Sequence, residues 1–250
     1  MLRRLLLSLL PLTCLTGPAS ADSESRALTL LRNSERLMTA DTSRGQYHME
    51  ITRPEWNRLL RFDTLADRPN DRFRLDMHEP RKVRGTVFLK IGEQLSMYLP
   101  KLKRIIRISP AMMLDAWMGS DFNNQDLLEA GALIDAYEHK ITGTEGEGDT
   151  TVMVIESTPK DDAAVVWSKL IQRLHPNGRP LSVEFYGSDS KLVRTLNFLD
   201  PKKFAERTLP SRWRMVPHDA PGQFTEVFVD ALEFNPPLDE ALFHPMENQE

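Results

Sequence analysis

The side chains best suited to bind a metal or move a proton are six histidines, at positions 48, 78, 139, 175, 218 and 244. A helical metal pair needs two imidazoles on one face, as in His-x-x-x-His, and no two of these positions have that spacing. Asp121, Asp126 and Glu129 are close enough in the chain to form an acidic cluster. Beside a short apolar segment they read instead as helix caps and solvated charge. GTEGEGD, starting at Gly143, has too few suitably spaced oxygens for a helix-loop-helix calcium loop and reads as a hairpin turn. A Gly-x-Ser-x-Gly elbow, a phosphate-binding glycine loop and a dinucleotide fingerprint are all missing from the sequence. The expectation is therefore a protein with no metal, no cofactor and no catalytic residues.

The single cysteine, Cys14, lies within MLRRLLLSLLPLTCLTGPASAD, which has the layout of an export signal. Arg3 and Arg4 form its positive start, Leu5 to Leu15 its apolar stretch, and Ala19-Ser20-Ala21 a small-residue cleavage site. The apolar stretch is far shorter than the roughly 20 residues of a membrane-spanning helix. Pro11-Leu12-Thr13 before the cysteine is a poor match to a lipoprotein acylation motif. Removing residues 1–21 leaves residues 22–250, with no thiol for a disulfide, a zinc-thiolate site or a nucleophile. It also removes Arg3 and Arg4, so the 32 basic residues fall to 30 against 36 acidic ones, a net charge of −6. That balance lacks the basic footprint of a nucleic-acid binder. A single domain over 22–250 and a monomer are expected.

The elements follow from periodicity. Ala27, Leu30, Leu31, Ser34, Leu37 and Met38 recur at three and four, as on one stripe of a helix. After them the period changes to two. Tyr47, Met49 and Ile51 alternate with His48 and Glu50; Trp56, Leu60 and Phe62 continue the pattern; and Phe73, Leu75 and Met77 alternate with Arg74 and Asp76. Val87, Leu89 and Ile91, then Leu95, Met97 and Leu99, flank a Gly92-Glu93 turn. Seven further strands are predicted between Tyr137 and Leu232, separated by turn sequences such as HPNGRP, GSDS and HDAPG. Strands joined by links this short form antiparallel meanders, and a sheet this wide curls.

SPAMMLDAWMGSDF, starting at Ser109, gathers Met112, Met113, Leu114, Trp117, Met118 and Phe122. Methionine is the most adaptable apolar side chain and is favoured where variable partners are accepted. Ser109 as cap, Pro110 at the first position and Gly119 at the end predict a short helix here, lying over the opening of the curled sheet as a lid. The basic run Lys101, Lys103, Arg104 and Arg107 alternates with Leu102, Ile105, Ile106 and Ile108. It reads either as a solvated strand face or as a positive rim for lipid headgroups or an acidic partner.

Residues 85–128, GTVFLKIGEQLSMYLPKLKRIIRISPAMMLDAWMGSDFNNQDLL, resemble the middle of the LolA-like outer-membrane lipoprotein-sorting family. MEITRPEW, FYGSDSKLVRTLNF and LPSRWRMVPHDAPGQFTEV resemble its flanking stretches in the same order. The resemblance implies a mainly β fold, an unclosed antiparallel barrel of about 11–13 strands around an N-terminal helix and a short lid helix. It also implies a periplasmic carrier that shelters lipoprotein acyl chains or lipid, with an inner-membrane transporter and an outer-membrane acceptor as partners. A sensor or scaffold of the same fold that binds a protein partner is the alternative. On this reading the cavity wall is Tyr47, Met49, Ile51, Trp56, Leu60, Phe62, Phe73, Leu75, Met77, Val87, Leu89 and Met97, and the Met112–Phe122 cluster is the cover. Arg53 is the candidate lid or rim contact.

Overall fold

A computed structural model describes residues 18–127, 133–163 and 165–244. The leader residues 1–17 and Glu129 lie outside them. The period-two segments become strands β1 (Thr42–Thr52), β2 (Asn57–Asp67), β3 (Arg72–Glu79), β4 (Val87–Ile91), β5 (Gln94–Leu99) and β6 (Arg104–Ile108). The second series is β7 (Tyr137–Glu145), β8 (Val152–Pro159), β9 (Lys169–Leu174), β10 (Pro180–Tyr186), β11 (Leu192–Phe204), β12 (Arg207–Pro217) and β13 (Phe224–Phe234). Each series is an antiparallel meander, because every connection within it is too short for a crossover.

The two meanders merge where β1 pairs with β13, giving one 13-stranded sheet in the order β6-β5-β4-β3-β2-β1-β13-β12-β11-β10-β9-β8-β7. The sheet is an unclosed barrel, since its edges β6 and β7 do not pair with each other. The chain that follows the edge strand β6, described over residues 109–127, supplies the cover.

Helix α1 (Pro18–Met38) includes the expected cleavage site in its first turn. Its predicted stripe is the face it buries. Ala27 and Leu31 pack with Leu30 on Ile141, Ile155 and Leu174, while Leu37 and Met38 reach Phe204, Leu209 and Val229. One helix thus touches both the β7–β9 and the β11–β13 walls. Gly178 permits the close fit: its φ is +89° and a Cβ there would stand 3.2 Å from the Ser34 nitrogen of α1. A four-residue helix, α2 (Leu133–Ala136), leads into β7. Among the described residues no helix is long and apolar enough to cross a membrane.

The methionine-rich segment departs from the expected helix. It forms two separate 3-10 turns, Pro110–Met112 and Trp117–Gly119, and Ser109 makes no side-chain cap bond. Met118 has φ +53°, a left-handed conformation that stops helical propagation. The chain folds back instead: Ala116 bridges Asn123, and the Trp117 amide donates to the Phe122 carbonyl at 2.8 Å. Packing on the sheet has overridden a weak local helix preference.

Candidate ligand cavity and its cover

Inside the curled sheet lies a cavity of about 530 Å³. Of the predicted wall, Tyr47, Met49, Phe62, Phe73 and Leu75 line it, together with Trp117 and Phe122 of the cover. Alternation explains this set, since these strand residues share the inner face of β1, β2 and β3. Tyr47 is half-buried by accessible area because part of its ring faces the cavity and not bulk water. Burial pushes its phenol up to about 12 despite a hydrogen bond with Thr64. The ring lies over Gly45, where any Cβ would collide with it, and stacks on Phe62 at 5.6 Å.

Ile51, Leu60 and Met77 point the same way but are sealed off. They are at most 1% exposed and belong to a cluster with Trp117 and Phe88, against which Met97 packs. Val87 and Leu89 require a correction of face. Phe88 joins the inner cluster, so its neighbours lie on the outer side of β4. They are nevertheless buried, and Arg74, the cross-strand partner of Leu89, donates to the Leu242 carbonyl of a C-terminal 3-10 turn. With Val87, Phe88 and Leu89 all apolar, alternation alone could not decide the face. Trp56 also lies elsewhere: it is 40% exposed in the β1–β2 turn, with the Arg58 guanidinium 4.7 Å from its ring centroid.

The sequence reading missed the opposite wall, Leu209, Trp213, Val227, Val229, Leu232 and Phe234 of β12 and β13. These strands were legible, but the β1–β13 pairing that brings them against Tyr47 links residues nearly the whole chain apart. At one end the cavity meets polar residues, Glu35, Arg68, Asp71 and Lys90. Arg68 pairs with Glu35 and Lys90 with Asp71.

The cover is plugged by Trp117, 1% exposed, whose indole makes edge contacts at 5.6 Å with both Phe62 and Phe88. Its buried N–H has no acceptor among the described residues. Met112, Met113, Met118 and Phe122 pack partly buried around it, whereas Leu114 points outward and is 52% exposed.

Three arginines hold this plug in place, two of them through carboxylate pairs. Arg53 donates to both carboxylate oxygens of Asp121 at 3.0 Å and to the Gly119 carbonyl at 3.0 Å. Thr225 donates to the same carboxylate at 2.6 Å, and Arg58 donates to the Met118 carbonyl at 3.0 Å. On the far side, Arg194 forms a fork with Asp126 at 2.7 and 2.8 Å and donates to the Asp121 carbonyl at 3.1 Å. The side chains of Arg53, Asp121 and Arg194 are 11%, 9% and 7% exposed. The reading of Asp121 and Asp126 as caps and solvated charge is therefore corrected: both are partners of buried guanidinium groups, as burial of such charges requires. Asp126 also accepts from the Asn123 amide at 2.8 Å. The sequence held a signal for Arg194, a lone cation in the stripe Leu192, Arg194, Leu196, Phe198 of β11.

The histidines stand apart from the cavity wall. His48 faces Asp230 at 2.8 Å and His78 faces Asp63 at 3.1 Å. His218 contacts Thr195 at 2.9 Å. His139 is buried between the Ile134 carbonyl and the Ser157 hydroxyl, each 2.8 Å away. Among the described residues no group of three or more His, Cys, Asp or Glu side chains is arranged to hold a metal ion.

The architecture has solved counterparts. A domain assigned to outer-membrane lipoprotein sorting in Vibrio parahaemolyticus superposes with a TM-score of 0.76 at 25% identity, covering 88% of this chain and 97% of that one. A LolA superfamily protein from Nitrosomonas europaea gives 0.73 at 21% identity over 88% and 97%. The chain belongs to the LolA-like superfamily. A DUF1329 family protein from Desulfovibrio piger has the same LolA-like fold, with a TM-score of 0.79 at 21% identity over 89% and 97% of the two chains. A family model described as "Uncharacterized protein" matches residues 69–247, and this LolA-like chain belongs to that family as well. No curated protein matches it.

Proposed function

We propose that the protein is a periplasmic carrier, reached through a cleaved leader, that shelters an acyl chain of a lipid or lipoprotein in the sheet on its way to the outer membrane. The observation that carries this reading is the apolar cavity beneath a cover pinned by Arg53–Asp121 and Arg194–Asp126. Each methylene removed from water contributes about 0.8 kcal/mol, so a free acyl chain needs such shelter to cross an aqueous space. Lipoprotein sorting is what the Vibrio relative is assigned to, and it fits the same chemistry.

The size of the cavity limits the cargo. A dry 150 Å³ cavity accepts benzene, or about 25 Å³ per carbon. At that density 530 Å³ accommodates about 20 carbons, the equivalent of one long acyl chain. A cargo with two or three chains requires the cover to lift. Such movement suits a plug built from methionines and an indole whose N–H is unsatisfied when closed.

The test is gentle native mass spectrometry of the mature protein taken from a bacterial periplasm, followed by lipid extraction. An acyl-bearing adduct at one per protein is expected. A clean apo mass, persisting after incubation with lipids and lipoproteins, would sink the carrier reading in favour of a protein-binding scaffold.

A further inference from the structure

One end of the β1–β6 meander carries a surface that the cavity does not use. The β3–β4 connection contributes Arg81, Lys82 and Arg84, and the β5–β6 turn with β6 contributes Lys101, Lys103, Arg104 and Arg107, all exposed. The two connections touch: Lys101 Nζ donates to the Lys82 carbonyl at 3.2 Å, and Gly85 lies against the Pro100 ring. None of these cations forms an ion pair among the described residues, and the neighbouring Glu79 is taken by Arg61 at 3.5 Å. Between Pro80 and Leu114 the only acid is Glu93, in the β4–β5 turn at the opposite end of the strands. So concentrated a positive surface stands out on a chain whose net charge is −4.

Apolar groups sit among the charges. Leu102, at the tip of the β5–β6 turn, is 63% exposed, and Ile105 and Ile106, on opposite faces of the edge strand, are 37% and 36% exposed. The β1–β2 turn falls at the same end of the meander and adds the 40% exposed Trp56 beside Arg58. Charges on an edge strand guard against edge-to-edge pairing, which accounts for Arg104 and Arg107. That guard explains neither the cations of the separate β3–β4 turn nor a protruding leucine. An exposed leucine among unpaired cations, with an exposed tryptophan beside Arg58 at the same end of the strands, matches an anionic bilayer: cations on lipid phosphates, the indole at the headgroup level, the leucine beneath it.

We propose that this end of the sheet docks on the surface of an anionic lipid membrane. The inference stands independently of the acyl-carrier reading, although the two converge. Arg53 and Arg58, which hold the cover, are at this same end, so docking brings the cover against the bilayer.

The experiment is co-sedimentation of the mature protein with phosphatidylcholine vesicles, pure or containing phosphatidylglycerol, at low and high salt. Binding is expected only with phosphatidylglycerol and should fade with salt, as the cations are screened. Each cation near such a surface contributes about 1 kcal/mol, so Lys101→Gln/Lys103→Gln/Arg104→Gln should weaken partitioning on the order of 100-fold. Lys202→Gln/Lys203→Gln, in β11, should leave it unchanged. A Leu102→Trp variant should show blue-shifted emission on phosphatidylglycerol vesicles. No preference for phosphatidylglycerol, full binding by the triple variant, or an unshifted Leu102→Trp emission would each overturn the proposal. Binding that requires an added protein instead of lipid would overturn it as well.

Discussion

At the scale of single residues, Arg53 and Arg194 decide how the cover is held. Removing one member of a buried, hydrogen-bonded ion pair strands the other, at a cost of about 3–5 kcal/mol. Arg53→Ala should therefore lower stability by about 3 kcal/mol and speed release of a bound acyl probe. In a double-mutant cycle with Asp121→Ala, the combined loss should be smaller than the sum; additive losses in urea melts would show that the two groups are not coupled.

His139 gives the residue scale a pH dependence. The Ile134 carbonyl can only accept, so Nε2 carries the proton and Nδ1 accepts from the Ser157 hydroxyl, which in turn accepts from Gln172 Nε2 at 3.0 Å. Burial pushes the imidazole below its ordinary value of 6.5, against the opposing hydrogen bond to Ile134. A folded-state value below the unfolded one means that the unfolded chain binds more protons between the two. This contribution to stability is thus complete above pH 6.5 and is lost as pH falls from there through the folded value. The midpoint of thermal unfolding should drop on acidification in the native protein and drop less in His139→Gln. Parallel pH profiles would remove His139 from the account.

At the scale of elements, the cover and the sheet form one packing unit. Trp117 belongs to the same buried cluster as Ile51, Leu60 and Met77, so Trp117→Ala should cost about 3–5 kcal/mol, as for an aromatic in any core. Because the indole also borders the cavity, the vacated space adds to it. The preferred length of a bound fatty acid should then move to longer chains, which a displacement series with acids of increasing length would reveal; an unchanged optimum would mean that the space had collapsed. The strands and α1 were legible in the sequence because each repeats one period over many residues. The cover was not, because its conformation depends on Met118 in a left-handed turn and on Arg53, Arg58 and Arg194, which arrive from distant parts of the chain.

At the scale of the whole molecule, the antiparallel, curled, mainly β architecture follows from local rules: alternation, short links and a sheet too wide to stay flat. Those rules also place Tyr47, Met49, Phe62, Phe73 and Leu75 on one face. They do not choose between Val87 and Phe88, since both are apolar and only the C-terminal turn over the outer surface tells the faces apart. Nor do they join the two meanders. The β1–β13 pairing, the opposing wall from Leu209 to Phe234, and the two arginine forks on the cover all link residues far apart in the chain. The sequence by itself determined which segments are strands and which side chains are apolar, because these are properties of neighbours. Which strands meet, how large the enclosed space is and what holds it shut were decided by the tertiary structure, where burial leaves each guanidinium only the partners that the closed chain brings to it.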